Sequence, residues 1–321
     1  MTEPTTPHDA YAKNTFRRIS PARGFLRNYF PPQVSQRLDW KTLSVEPESL
    51  VSDSLQNLFS DIRYSIQPLG EPRPQQLCLL FEHKRRVDYK TPRQILDYIY
   101  HILSNVEPTQ PLPGVLPIVL LQSGRWRREA SLASEYGMSE DLREALSPYL
   151  LNFQMRMVEL SQLQEHELCG TLEGRLALAL LKSVGENDPL AWTRFPTIMR
   201  DVAKRLARGP MPRFVRRAWS YLFNTIPREE LKTFRRSLDS LKTEYQTVEE
   251  SMKTIAQHFE ETGIDIGRRR MLAEFLARQH EKWTSQHAQK LECLSAEQFE
   301  ELTEAAFSNA PWEHLQQLLD N

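Results

Sequence analysis

Three residues in the first third of the chain have the types and spacing for hydrolysis of a phosphodiester. Asp61 opens an alternating segment in which Ile62, Tyr64 and Ile66 face one way and Arg63 and Ser65 the other. Glu82 and Lys84 close the apolar run Leu77-Cys78-Leu79-Leu80-Phe81. Residues two apart on a strand share a face, so Glu82 and Lys84 project together. If the two strands pair as a hairpin, they project toward Asp61. Two carboxylates can hold a hard divalent cation through oxygen and leave sites for water and phosphate. A lysine beside them can orient that water or neutralise charge building on the phosphate. The chain holds four acid-x-Lys triplets: Asp39-Trp40-Lys41, Glu82-His83-Lys84, Asp88-Tyr89-Lys90 and Glu230-Leu231-Lys232. Only the second ends a strong apolar strand with an acid at the mouth of a preceding strand. Its side chains are expected near a solvated strand end, where substitutions cost under about 0.5 kcal/mol.

The elements needed to hold these residues are legible around them. Asp9 reads as the cap of a first helix over Ala10–Arg18, and Phe25–Tyr29 as a helical piece closed by Pro31-Pro32. A short strand is expected at Leu43–Glu46. The proline- and glycine-rich segment Pro68–Pro74 turns the chain between the two strands that carry the acids. Thr91-Pro92 opens a helix through about Leu103, and Val115–Leu121 is continuous enough for a central strand covered on both faces. From about residue 150 strand signals vanish. Helices are expected over Leu172–Val184, Pro189–Leu206, Pro212–Phe223, Glu229–Glu261, Ile266–Glu292, Ala296–Ser308 and Pro311–Leu319. The charged stretch 228–292 reads as a helical hairpin or dimerisation arm. Three parts follow: a mixed-sheet domain over 1–130, a helical extension over 131–227 and a C-terminal helical region over 228–321.

Composition narrows the classes. The 321 residues carry 41 Lys and Arg against 42 Asp and Glu, so the chain is not a polycation. Basic residues cluster nevertheless, with Arg85-Arg86 in one run and Arg125-Trp126-Arg127-Arg128 in another; arginines so placed can track a phosphate backbone with Trp126 stacking, and equally Trp126 can pack in the core while the arginines reach out to solvent. Three scattered cysteines form neither a metal set nor a disulfide framework, which suits a reducing, cytoplasmic compartment. The longest apolar run is too short to cross a bilayer, and Met1–Asp9 has no apolar core of a secretory signal. Asp9, Asp53 and Gln94 are accessory candidates: Asp9 could reach the site from the first helix, Asp53 could add an acid, and Gln94 could face the phosphate from the following helix.

Several stretches together resemble the Rpn family of recombination-promoting nucleases, also called transposases. They are Pro7-His8-Asp9 with Phe16, Ala22-x-x-Phe25-Leu26, Phe30-Pro31, Leu38-Asp39, Ser60-Asp61-Ile62-x-Tyr64-Ser65, Leu80-Phe81-Glu82-His83-Lys84 and Leu112-Pro113-x-Val115-Leu116-Pro117-Ile118. The resemblance covers about residues 7–225. It implies an α/β fold of the PD-(D/E)XK, restriction-endonuclease-like type, with a mixed sheet flanked by helices and an α-helical C-terminal extension. It also implies Mg2+- or Mn2+-dependent DNA cleavage linked to recombination or mobile elements. The carry-over places metal ligation on Asp61 and Glu82 and the third role on Lys84. The chain departs from the family after the last strand, reading Leu121-Gln122-Ser123-Gly124 where Tyr-His-Gly is usual. DNA and a second copy of the chain are the expected partners, with no membrane and no organic cofactor. A non-catalytic DNA-binding protein on a decayed scaffold and a strand-transferring transposase are the rival readings.

Overall fold

A computed structural model describes residues 6–46, 62–70, 76–185, 195–206, 208, 212–225, 267–280, 282–308 and 310–320. The chain divides into two compact units, Met1–Gln246 and Thr247–Asn321. Asp53, Asp61, the expected helix Glu229–Glu261 and most of the arm at 228–292 lie outside the described residues.

The first helix, α1 (Pro7–Phe16), starts earlier than Asp9. Thr6 is its cap. The Asp9 backbone N–H donates to the Thr6 hydroxyl, and the Asp9 carboxylate accepts from the Thr6 backbone N–H and hydroxyl. This reciprocal box, with Pro7 in the first turn, outcompetes a cap at Asp9 because it satisfies two orphan donors at once. Helix α2 (Ile19–Tyr29) and the single turn α3 (Pro32–Ser35) follow. Strand β1 (Leu38–Val45) is longer than expected, and its register with β2 (Ile62–Pro68) shifts between Asp39 and Ser44. Such a bulge breaks the period-two pattern, which is why only its end is legible.

Strands β2 and β3 (Leu77–Lys84) form the antiparallel pair anticipated, with Ile62 opposite Phe81 and Ile66 opposite Leu77. Helix α4 (Thr91–Ser104) crosses over to β4 (Gly114–Leu121), which runs parallel to β3 from the Leu77–Gly114 pair to the Lys84–Leu121 pair. A crossover of this kind is what allows neighbouring strands to be parallel. The short helix α5 (Glu140–Leu146) stands in a long excursion before β5 (Arg156–Glu159), a parallel neighbour of β4 that the sequence did not disclose. Four residues, Arg156-Met157-Val158-Glu159, are too few for a periodic signal. The sheet is open and mixed, in the order β1-β2-β3-β4-β5, and this is the α/β fold expected.

Alternation along β3 assigns its two faces. Leu80 packs with Ile95 and Tyr98 of α4, and with Val119, Trp126 and Met155. Phe81 packs with Phe16 of α1 and Phe25 of α2, with ring centroids 5.1 and 5.5 Å apart. Each such fully buried side chain contributes roughly 1.5–3 kcal/mol, so the middle of β3 is fixed from both sides. Helices α6 (Leu172–Gly185), α7 (Pro196–Leu206) and α8 (Arg213–Thr225) extend the α1/α2 layer. Tyr221 of α8 stacks on Tyr11 of α1 at 4.2 Å.

The second unit has its own core of Leu272, Leu276, Leu291, Phe299, Leu302 and Leu315. It is built from α9 (267–279), α10 (Ser285–Cys293), α11 (Ala296–Phe307) and α12 (Trp312–Asp320). The single helix expected over Ile266–Glu292 is two, because the Trp283 N–H turns back to the His280 carbonyl and Thr284 starts a new capping box with His287. Among the described residues no helix is long and apolar enough to cross a membrane.

Candidate active site

Strand β3 ends by placing Glu82 and Lys84 on the face that looks toward α4. The α4 N-terminal turn supplies Gln94, and the three side chains close a network. The Lys84 ammonium lies 2.9 Å from Glu82 Oε1 and donates to Gln94 Oε1 at 2.6 Å. Gln94 Nε2 donates to Glu82 Oε1 at 3.1 Å and to the Tyr98 hydroxyl one helical turn further on. Asp88 stands 4.0 Å from Lys84 on the other side. Gln94 therefore holds the base and the acid in one fixed relation, since its carbonyl can only accept and its amide can only donate.

Glu82 is not at a solvated strand end. It is 1% exposed, against the expectation from the sequence, because the strand continues in parallel pairing with β4 to the Lys84–Leu121 pair and α4 covers that face. Burial pushes its carboxyl above the usual carboxylate range. The charge and hydrogen bond of Lys84, the charge of Lys13 and the Gln94 hydrogen bond pull the other way without offsetting it. Glu82 Oε1 takes both donors, while the buried Oε2 has no hydrogen-bond partner among the described residues. A buried acceptor left open is costly unless something else fills it. An oxygen of this kind fits one ligand position of a hard divalent cation. Among the described residues no three His, Cys, Asp or Glu side chains gather as a metal-holding group; a cation at Glu82 would need ligands from outside them, and Asp61 lies outside the described set.

The opposite face of β3 carries a second polar pair that the sequence did not reveal. His83, the middle residue of the Glu82-His83-Lys84 triplet, is 5% exposed, and its Nδ1 lies 2.8 Å from the Asp9 carboxylate. Burial would raise the Asp9 carboxyl. The hydrogen bonds from His83 and Thr6 and the charge of His83 outweigh it and hold the group well below the usual carboxylate range. His8 next to it is buried, with Nδ1 2.8 Å from the Tyr221 hydroxyl, and burial and the Arg85 charge pull it down to about 4. Asp9 thus acts on the rear of β3 and joins neither Glu82 nor Lys84. The alternation of His83 with Glu82 and Lys84 was the available signal, but no sequence pattern says which helix covers that face.

A sequence model of the family described as "Putative transposase, YhgA-like" matches residues 6–205, most of the chain and all of this site. The chain belongs to this family. Among its curated relatives, Recombination-promoting nuclease RpnC of Escherichia coli (strain K12) is 32% identical over 120 residues, covering 37% of this chain and 39% of RpnC. Recombination-promoting nuclease RpnA of the same organism is 29% identical over 117 residues, 36% of this chain and 39% of RpnA. The match also extends to Inactive recombination-promoting nuclease-like protein RpnE, 36% identical over 69 residues, 21% of this chain and 23% of RpnE. The chain spans about two fifths or less of the length of these relatives. No solved structure matches it.

The point where this YhgA-like chain departs from the resemblance also has a structural account. Gln122 is fully buried, and its Nε2 donates to the Leu181 carbonyl of α6 at 2.8 Å, tying the end of β4 to the helical layer. Gly124 turns the chain at φ 90°, a left-handed conformation that favours glycine. The two basic runs leave the sheet side by side there, since the Gln122 N–H donates to the Lys84 carbonyl and the Ser123 N–H to the Arg85 carbonyl. Arg85, Arg86, Arg125 and Arg127 are exposed beside the site. Arg128 is exposed too, but it lies 4.1 Å over the Tyr89 ring and 3.6 Å from Glu135. Of the two readings open for Trp126, stacking and core packing, the structure takes the second: it is 8% exposed and belongs to the core with Leu80 and Tyr98. Its apolar bulk is worth more against that core than in water.

Proposed function

We propose that this YhgA-like protein is a divalent-metal-dependent DNA endonuclease. The observation that carries the reading is the Glu82–Lys84–Gln94 network, with one buried Glu82 oxygen committed to the protein and the other left open. Names of the matched relatives, RpnC and RpnA, supply the class of reaction. The partner acid is Asp61: Ile62 and Phe81 face each other, and Asp61 precedes the one as Glu82 follows the other. Asp61 and Glu82 would hold the cation, Mg2+ or Mn2+. Such an ion polarises a phosphoryl oxygen and acidifies bound water. Lys84 sits 2.9 Å from Glu82, where its ammonium can hold a water or neutralise charge on the phosphate, and Gln94 keeps it there. Arg85, Arg86, Arg125 and Arg127 would track the phosphates and position the strand without reading its bases. Asp53 is a further acid of the same proposal.

A second reading is a non-catalytic DNA-binding protein, and the match to the relative named inactive, RpnE, favours it. One experiment separates the two: incubation of the purified protein with supercoiled plasmid, with and without Mg2+ or Mn2+, alongside Asp61→Ala, Glu82→Ala and Lys84→Ala. Metal-dependent nicking by the wild type, lost in the two acid variants and impaired in Lys84→Ala, supports the endonuclease. Inert wild type with every divalent metal, while DNA is still bound, supports the second reading.

A further inference from the structure

One side chain lies between the polar groups on the two faces of β3 and is engaged by neither. Helix α1 runs along the boundary between β2 and β3. Near its start the Asp9 carboxylate lies 2.8 Å from His83 Nδ1. At its end the Phe16 ring packs on Phe81 at 5.1 Å, and the Phe16 carbonyl accepts from the Tyr64 hydroxyl of β2. Residues three and four apart on a helix are neighbours on one stripe. Lys13, four after Asp9 and three before Phe16, therefore stands on the stripe that faces the sheet, between the contacts to residues 81 and 83. Strand β3 ends at Lys84, and so near a strand end the flexible four-carbon stem of a lysine can serve either face. The Lys13 charge is felt on both, by Asp9 on the rear and by Glu82 on the front.

Lys13 is half-buried, yet among the described residues its ammonium makes neither an ion pair nor a hydrogen bond. Both nearby carboxylates are already engaged, Asp9 by His83 and Thr6 and Glu82 Oε1 by Lys84 and Gln94. Lys84 differs on this point, being committed to Glu82, Gln94 and Asp88. A charge taken partly out of water without a partner is costly, and an incoming anion would offset that cost. The Glu82 Oε2 atom, buried and without a hydrogen-bond partner among the described residues, is an independent sign that this end of β3 is completed from outside. A phosphodiester supplies the missing anion. Hydrolysis joins a water oxygen to phosphorus and breaks one ester P–O bond; the water loses a proton and the leaving oxygen takes one up. Between these events the phosphate carries an extra negative charge, and a compact ammonium suits it as a point charge.

We infer that Lys13 is a second catalytic lysine, whose ammonium contacts the scissile phosphate and stabilises the charge that develops there, leaving Lys84 to hold the attacking water. This rests on the nuclease reading, but the first measurement needs no cleavage. Binding of the full chain to a fluorescein-labelled duplex is followed by anisotropy without divalent metal over a range of salt. Lys13→Met keeps the apolar stem and should flatten the slope of log affinity against log salt by about 0.9, the loss of one phosphate contact. Lys13→Arg should keep the wild-type slope. In Mg2+, plasmid nicking by Lys13→Met should fall roughly a hundredfold or more, with Mg2+ affinity by calorimetry no weaker than wild type and with partial recovery in Lys13→Arg. If Lys13→Met melts early, Lys13→Gln takes its place. An unchanged slope overturns the inference even where nicking falls, since Lys13 would then act through Glu82 and not on the phosphate. A flattened slope with wild-type nicking overturns it too, placing the contact away from the scissile bond. If the wild type nicks nothing, the nuclease reading fails by itself, and the slope still decides whether Lys13 holds a phosphate.

Discussion

Replacing Glu82 with Gln is expected to stabilise the first unit while removing its proposed chemistry. The Glu82 carboxyl is held above the usual range because the cost of burying its charge exceeds what Lys84, Lys13 and Gln94 return. Gln removes that charge and keeps an oxygen for Lys84 and Gln94 to bond. Lys84 loses an ion pair, but it is partly exposed and keeps Gln94 at 2.6 Å and Asp88 at 4.0 Å. The difference should therefore favour Gln by about 1 kcal/mol, the size commonly gained from a single stabilising substitution, roughly 0.5–2 kcal/mol. That is a rise in Tm of about 2–4 °C for a unit of this size. The pH dependence follows from the direction of the shift. Near pH 4.3, where an unperturbed glutamate is half protonated, and below it, the buried group is neutral and costs little. As pH rises through the raised folded value the ionised form is penalised, so wild-type stability from this group is lost toward neutral pH. Thermal melts of both proteins from pH 5 to 8 should show the gap opening as pH rises. Mg2+ should then raise the wild-type Tm and leave that of Glu82→Gln unchanged, since only the wild type offers the charged ligand. A variant that melts below the wild type at pH 8, or a gap that does not change with pH, would refute the argument from burial.

Two further substitutions probe the surroundings. Asp9→Ala removes the capping partner of Thr6 and the acceptor for His83, and should cost about 2–3 kcal/mol by chemical denaturation. Its carboxyl is held low, so its contribution is present above about pH 3.9 and lost as pH falls through the depressed folded value; Asp9→Asn should keep part of the cap. Simultaneous Arg85→Ala, Arg86→Ala, Arg125→Ala and Arg127→Ala should weaken binding to unrelated duplexes alike. The slope of log affinity against log salt, measured by fluorescence anisotropy, should flatten by up to about 3–4. Arg128→Ala should change that slope less, because Tyr89 and Glu135 already hold its guanidinium.

Much of the scaffold was written locally. The strands Ile62–Pro68 and Leu77–Lys84, the helix from Thr91 and the buried strand ending at Leu121 follow from alternation, apolar runs and a proline in a first turn, each of which acts over a few residues. The same period-two logic put Glu82 and Lys84 on one face, and their pairing at 2.9 Å shows why spacing alone could find it. Burial was beyond it: whether Glu82 ends in water or under α4 depends on how far β3 runs beside β4, a contact between segments more than thirty residues apart. The strand at Arg156–Glu159 escaped for the same reason, being ordered by its parallel neighbour and not by its own four side chains. Asp9, His83 and Tyr221 are strangers in sequence, and only the packing of α1 between β3 and α8 brings their polar atoms within 3 Å of a partner. By residue type Trp126 was open to stacking on a base or packing in the core, and tertiary structure decided for the core. An aromatic or an imidazole goes where its apolar area and its hydrogen bonds are both satisfied, and that place is fixed by neighbours distant along the chain.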